Sequence, residues 1–333
     1  MATDHARGES VDLFDRLRRH RYVGLVFNIA PASVWLVAFF LVPLAVMFYY
    51  SFGTRGAFGV VLLDAANLGL QQYVTFFIPD DASVLEAAWY TVGWLFGQFV
   101  PFVPNVAGGT PTPYVQLLFK SLYFGVITTV FALAMGYPLA YFVARKTPSG
   151  YQNLLVALVV LPYWASYLVR IYAIKILLAR GGLVDSLLTT LGIADNVTLL
   201  YSDIAVGTGL IYVYVPFMIL PVYASLEQFD PTLEEAAMDL GADRLDAFRK
   251  VTLPLSLPGV IAGSILVFIP AVGTYVIPEL LGGTSTATIG EFIASQFGAA
   301  GNWPLGAAAA FVLMVIMFGA LWAYQTWAGG DFL

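Results

Sequence analysis

Six apolar runs constrain this chain more than any other feature of its sequence. Each is longer than the ~20 residues that a helix rising 1.5 Å per residue needs to cross about 30 Å of hydrocarbon. None shows the alternating pattern of an outer-membrane β-strand. The runs predict an all-α integral membrane protein with six transmembrane helices, at residues 23–50, 121–143, 152–177, 204–225, 257–281 and 306–328.

The composition excludes several classes of function. The chain has no cysteine, and both histidines, His5 and His20, precede the first apolar run. This excludes a disulfide framework, a thiolate nucleophile and most histidine-based catalytic sites. No GxxxxGK[ST] sequence is present to bind a nucleotide phosphate. We therefore expect a chain that is not an enzyme, with no bound metal or cofactor and no nucleic-acid partner.

The positive charges predict the orientation of the helices. With the N-terminus inside, 10 of the 15 Lys and Arg residues lie on the cytoplasmic side, as the positive-inside rule requires. Both termini are then cytoplasmic, and residues 1–22 are a cytoplasmic tail before a retained first span. The inner charges are Arg7, Arg16, Arg18, Arg19, Arg21, Arg145, Lys146, Arg244, Arg249 and Lys250.

Residues 51–120 then form an enlarged extracytoplasmic insertion between spans 1 and 2. They include an apolar stretch, 87–103, that would reach only about 25 Å as a helix and contains Pro101 and Pro104. If this stretch crossed the membrane, it would reverse the charge bias. We expect it to lie on the outer membrane surface or to dip into it, and the sequence leaves both possibilities open.

A charged segment, residues 227–256, separates the fourth and fifth runs. Asp230 and Pro231 predict a helix start, and Gly241 predicts a bend. A second short helix is expected from Asp243, stopped before span 5 by Pro254 and Pro258. Such a segment is either a solvated loop or a helix that docks in a groove of a cytoplasmic partner.

The spacing within this segment resembles a known motif. Glu235-Ala236-Ala237, three residues, Gly241, nine residues and then Val251-Thr252-Leu253-Pro254 are similar to the EAA loop of permease subunits of bacterial ABC importers, with Val251 in place of Ile. Residues 162–178, 214–242 and 266–283 resemble the spermidine/putrescine branch of that family. The resemblance implies a type I importer-like permease, with a core at 121–333 and a coupling helix that sits in a cleft of an ATPase subunit.

The resemblance also implies partners and contact residues. The partners are two ATPase subunits that bind ATP and Mg, a second permease subunit, and an extracytoplasmic solute-binding protein, all at a bacterial inner membrane. By resemblance, the contact core is formed by Glu235, Ala236, Ala237 and Gly241. The full set of expected coupling residues is Glu234, Glu235, Ala236, Ala237, Leu240, Gly241, Leu245, Phe248, Leu253 and Pro254.

Polar and aromatic residues near membrane depth suggest a solute path. An ionised Glu279 at the end of span 5 needs water, a basic partner such as Arg170 or Lys175, or a cationic solute. Aromatic faces bind ammonium groups, although such residues also serve packing. The candidate path residues are Glu279, Tyr275, Trp164, Tyr163, Tyr214 and Asp185.

Three hypotheses for the function follow. The first is a permease of an ATP-driven polyamine importer. The second is the same machinery for another solute, such as an opine, aminoethylphosphonate, ferric ion or a quaternary amine. The third is an ion-coupled secondary transporter, which the scarcity of buried coupling charges and the lack of a detectable inverted repeat disfavour.

Overall fold

The protein is described here from a computed structural model that covers residues 21–64, 67–99, 109–192 and 198–327. The predicted tail at 1–22 lies almost entirely outside the described residues, as do residues 100–103 of the apolar stretch. The described part is mainly helical, and its β-structure is one two-stranded antiparallel hairpin, β1 (Thr54–Arg55) with β2 (Val61–Leu62).

The helices follow the apolar runs in chain order. They are α1 (Arg21–Leu36), α2 (Val42–Tyr50), α3 (Gln71–Phe77), α4 (Val84–Phe99), α5 (Pro113–Tyr141), α6 (Ser149–Val160), α7 (Tyr167–Leu178), α8 (Leu183–Thr190), α9 (Asp203–Gln228), α10 (Thr232–Asp239), α11 (Arg244–Ala247), α12 (Leu253–Gly273), α13 (Val276–Leu281), α14 (Ile289–Phe297) and α15 (Trp303–Trp327).

Among the described residues, five continuous helices are long and apolar enough to cross a membrane, and counting one bent pair as a single span brings the number to six. The continuous ones are Ile29–Tyr50, Pro113–Lys146, Asp203–Gln228, Arg244–Gly273 and Trp303–Thr326. Helix α4 has 16 residues and is not among these candidate spans. The part of the chain that the structure describes therefore contains five or six candidate crossings, in agreement with the sequence pattern.

The third predicted span, 152–177, is not one straight helix. A 3₁₀ turn at Leu161–Trp164 ends α6, and Ala165 is extended before α7 begins at Tyr167. The two arms, Ser149–Trp164 and Tyr167–Thr190, meet at 88°. Pro162 lies within the turn, and its missing N–H removes a helical hydrogen bond at the break. The third predicted span is therefore a bent pair of helices, which makes one crossing if its two arms are counted together.

Two further boundaries differ from the prediction. The second span begins at Pro113 rather than 121, because the side chain of Thr112 accepts a hydrogen bond from the Val115 amide and Pro113 occupies the first turn. The fifth helix begins at Arg244, so Pro254 and Pro258 do not stop it. A π-helical turn at Phe248–Thr252 accommodates Pro254, which lacks the N–H of a regular helical bond.

Helix α9 lies at the centre of the bundle and packs against α5 and α12. Its buried face carries Leu210, Met218, Val222 and Leu226, all fully shielded. Apolar helices gain little by leaving apolar lipid, so close van der Waals contact stabilises such a bundle. By contrast, no residue between 29 and 50 is buried. The first span therefore offers its apolar surface to something outside this chain.

Candidate functional site

The charged segment begins as the sequence predicts, with a capped helix. The Asp230 carboxylate accepts a hydrogen bond of 2.9 Å from the Thr232 amide, and α10 follows. That hydrogen bond holds the pKa of Asp230 below its ordinary value. Asp230 therefore stays ionised at the helix N-terminus, where a negative charge is favourable.

Gly241 makes the bend after α10. Its φ of +94° lies in the left-handed region, and the Ala242 amide bonds back to the Ala237 carbonyl at 3.0 Å. Asp243 then starts α11 by accepting a bond of 2.6 Å from the Asp246 amide. The predicted order of helix, bend and helix is present in the structure.

Much of the charged segment is open to solvent. Leu240, at the bend, is 90% exposed. Leu233, Leu245 and Leu253 are also exposed. Exposed apolar groups on a short helix suit docking into a groove. The other expected coupling residues that face outward are Glu235, Ala236, Gly241 and Pro254, while Ala237 is half-buried.

Two of the expected coupling residues face inward instead. The Glu234 carboxylate accepts a hydrogen bond of 2.5 Å from the Thr252 hydroxyl. Phe248 packs edge-on against Tyr137 and Tyr141, with ring centroids 5.9 and 5.7 Å away. In this arrangement both side chains contact other parts of the chain itself.

Of the candidate path residues, Tyr163 lies against α9, and Tyr214 belongs to α9 and reaches α12. The Tyr163 hydroxyl donates to the Val213 carbonyl, and the Tyr214 hydroxyl donates to the Pro270 carbonyl at 3.3 Å. The Arg170 guanidinium lies 4.2 Å from the Tyr163 ring centroid. This basic residue is only 8% exposed and was not among the candidates. Within the described residues it makes no ion pair, and its guanidinium also lies 5.9 Å from the ring centroid of Tyr167.

The remaining candidates lie on separate elements of the structure. Trp164 is 86% exposed at the break between α6 and α7, and Tyr275 and Glu279 are exposed around α13. Asp185 is buried and accepts a bond of 2.8 Å from the Gly181 amide, which gives it a role in a local turn. No ion pair joins Glu279 to Arg170 or Lys175 among the described residues.

Glu291, at the start of α14, is an acidic residue that sequence reasoning missed. Burial raises its pKa, and the nearby charge of Glu279 raises it further. One of its carboxylate oxygens is shielded and has no hydrogen-bond partner. Only the tertiary structure brings these two carboxyl groups close enough to interact, since they belong to different helices.

Comparison with known proteins identifies the family. Residues 121–326 match the model of the binding-protein-dependent transport system inner membrane component. The chain belongs to this family. It is 41% identical over 212 residues to the spermidine/putrescine transport system permease protein PotB of Haemophilus influenzae, covering 63% of this chain and 74% of that protein. The Escherichia coli PotB is 40% identical over 205 residues, covering 61% and 74%.

A solved structure shows the same fold. The fold resembles a chain of a bacterial ABC transporter involved in the import of the acidic polysaccharide alginate, with a TM-score of 0.70. The match covers 97% of this chain and 100% of that chain at 16% identity. Together these findings confirm the predicted all-α ABC importer permease fold. They also confirm that the chain is a transport component and not an enzyme.

Proposed function

We propose that this permease passes a polyamine such as spermidine or putrescine across the bacterial inner membrane. The observation that carries the proposal is its 41% identity over 212 residues to a spermidine/putrescine permease. The exposed carboxylate of Glu279 and the exposed rings of Tyr275 and Trp164 are suitable groups for a polyammonium chain. Asp185 and the hydrogen-bonded Tyr163 and Tyr214 then have supporting roles.

The proposal includes an oriented assembly. Both termini and the charged segment lie on the cytoplasmic side, where two ATPase subunits hold ATP and Mg²⁺ and contact the segment. A second permease subunit covers the exposed face of residues 29–50. A binding protein delivers solute from the other side; the alginate transporter has been solved in complex with such a periplasmic protein.

The mechanism follows from the continuity of one helix. Arg244–Gly273 runs without interruption from the charged segment into the fifth span. A force applied by an ATPase at α11 therefore reaches membrane depth through one continuous helix, and α10 joins that helix across the Gly241 bend. Packed bundles move between discrete arrangements rather than deforming continuously. ATP-driven movement of the segment thus alternates access to the solute path.

The solute assignment is tested by reconstituting the permease with its ATPases and its binding protein in liposomes. We expect ATP-dependent uptake of labelled spermidine or putrescine, and weaker uptake after Glu279→Gln because a counter-charge is lost. Uptake of an opine, aminoethylphosphonate, ferric ion or quaternary amine in preference to polyamines contradicts the solute assignment. Uptake driven by an ion gradient without ATPase subunits contradicts the importer itself.

The docking site is tested by co-purification. Glu235→Arg and Gly241→Trp place charge or bulk on the outward face of the segment and are expected to abolish ATPase binding. Gly150→Trp is the matched control. Gly150 also has open space around it, and it lies just after span 2 ends at Lys146, on the same side of the membrane as the charged segment. Retention of the ATPases by both segment variants, or their loss in the control as well, contradicts docking at this surface.

A further inference from the structure

Arg145, at the end of the second span, contacts the beginning of the charged segment. Its side chain is only 9% exposed. The guanidinium lies 3.6 Å from the ring centroid of Phe229, the first residue after α9, and donates to the Phe229 carbonyl at 3.1 Å. Its Nε lies 3.9 Å from the Glu234 carboxylate. One side chain of span 2 therefore contacts both the loop and the helix that follows it.

Glu234 connects this contact to the fifth helix. The same carboxylate oxygen that faces Arg145 accepts the hydrogen bond from the fully buried Thr252. Thr252 belongs to the continuous helix that enters the membrane. Glu234 thus joins α10 to span 2 on one side and to span 5 on the other, and its own side chain is 20% exposed.

The Arg145–Glu234 contact is incomplete in this arrangement. The Nε of Arg145 is shielded from solvent and makes no hydrogen bond. Its distance of 3.9 Å from the carboxylate exceeds a usual N–H···O distance by about 1 Å. A small displacement of α10 toward span 2 would therefore satisfy a buried donor. The position of the segment in which this contact is closed is then lower in free energy than the open position by the energy of one charge-assisted hydrogen bond.

A second set of contacts closes the same junction. Phe248 lies edge-on to Tyr137 and Tyr141 of α5, and the Tyr137 hydroxyl is 2.8 Å from the Ser256 hydroxyl of α12. These contacts keep the end of span 2 against the root of span 5. Movement of the charged segment therefore involves span 2 as well as the two spans to which it is covalently joined.

We propose that Arg145 and Glu234 are positioning residues that form a latch between span 2 and the charged segment, and that the latch tightens to a direct hydrogen bond in one state of the transport cycle. The proposal rests on the proposed coupling function. It assigns Glu234 to transmission of movement within the permease and leaves docking to its outward-facing neighbours, including Glu235.

The test compares ATP hydrolysis with solute uptake in the complete reconstituted complex. Glu234→Gln and Arg145→Gln are expected to retain the ATPase subunits but to lower the solute imported per ATP by about five-fold or more, the lower end of common coupling energies. The double variant should be no worse than the poorer single variant, because both changes break one contact. Lys146→Gln removes an adjacent exposed charge and should keep the wild-type ratio.

Three results overturn the latch: a wild-type ratio in Glu234→Gln, loss of ATPase co-purification in that variant, or independent and multiplicative losses in the double variant. A wild-type complex without ATP-driven uptake would instead refute the proposed function. The cysteine-free chain allows a second measurement. Spin labels at Lys146→Cys and Asp239→Cys, both exposed positions, should show an ATP-dependent distance change that Glu234→Gln alters. The same distance change with and without Glu234→Gln overturns the latch.

Discussion

Replacement of Gly259 by alanine tests the contact that holds the two helices flanking the charged segment together. A Cβ atom at Gly259 would lie 2.5 Å from the Pro221 carbonyl oxygen and 2.5 Å from the Ser225 Cβ. Both atoms belong to α9 and neither is at the end of a flexible side chain. The variant therefore forces α9 and α12 apart or bends one of them.

The size of the effect follows from the geometry. Ordinary contact begins at 3.4 Å, so the helices must separate locally by about 0.9 Å, and overpacking of this kind costs about 1–3 kcal/mol. Alanine also favours a helix over glycine by up to ~1 kcal/mol, which partly offsets the clash. Gly207→Ala isolates that gain, because a Cβ at Gly207, which lies on α9, meets nothing within 4 Å.

The assay measures unfolding of the purified permease in detergent, induced either by heat or by a denaturing detergent. We expect Gly259→Ala to be less stable than Gly207→Ala by about 1–3 kcal/mol. This difference is the energy of the clash, because both variants gain the same helix propensity from alanine. Gly263→Ala should fall between them, because its closest contact is the flexible Met218 sulfur at 2.8 Å. Equal stability of the Gly259 and Gly207 variants would refute the close approach of α9 and α12.

Three further predictions concern single groups. The Cβ atom added by Gly241→Ala meets no other atom, but the alanine must adopt a φ of +94°, so the bent form of the segment should lose about 1–2 kcal/mol of stability. This variant should bind the ATPase more weakly than the wild type, and Gly241→Asn should bind it better than Gly241→Ala does. The reverse order of the two variants contradicts the left-handed bend. Burial and the charge of Glu279 raise the pKa of Glu291 above 4.5, so the folded chain holds this proton to a higher pH than the unfolded chain does. The free energy of unfolding should therefore fall as pH rises from 4.5 through the folded-state pKa. Glu291→Gln should flatten this dependence on pH, and an unchanged dependence in the variant would contradict the prediction. Asp243→Ala removes the side-chain acceptor of the Asp246 amide and should destabilise α11 by about 1 kcal/mol. Hydrogen exchange of the Asp246 amide should be faster in this variant than in Asp243→Ser, and equal exchange in the two variants contradicts the cap.

The sequence by itself determined the class of the protein, most of its crossings and the order of elements in the charged segment. These properties depend on local patterns. Apolar run length is set by the thickness of hydrocarbon, and a left-handed bend needs a glycine such as Gly241. The same local reasoning misjudged Pro254, because a proline by itself indicates only that one hydrogen bond is missing. Whether the helix breaks, as at Pro162, or widens into a π turn, as before Pro254, depends on what surrounds it.

Only the tertiary structure decided which residues of the segment face inward. Arg145 meets Phe229 across 84 residues, and Tyr137 meets Ser256 across 119. No periodicity within a short window encodes such pairs. The same holds for Gly259 against Pro221 and for Glu291 beside Glu279. Contacts between distant parts of the chain arise from how helices pack, and packing follows from the shape and charge of whole surfaces rather than from the spacing of residues along one helix.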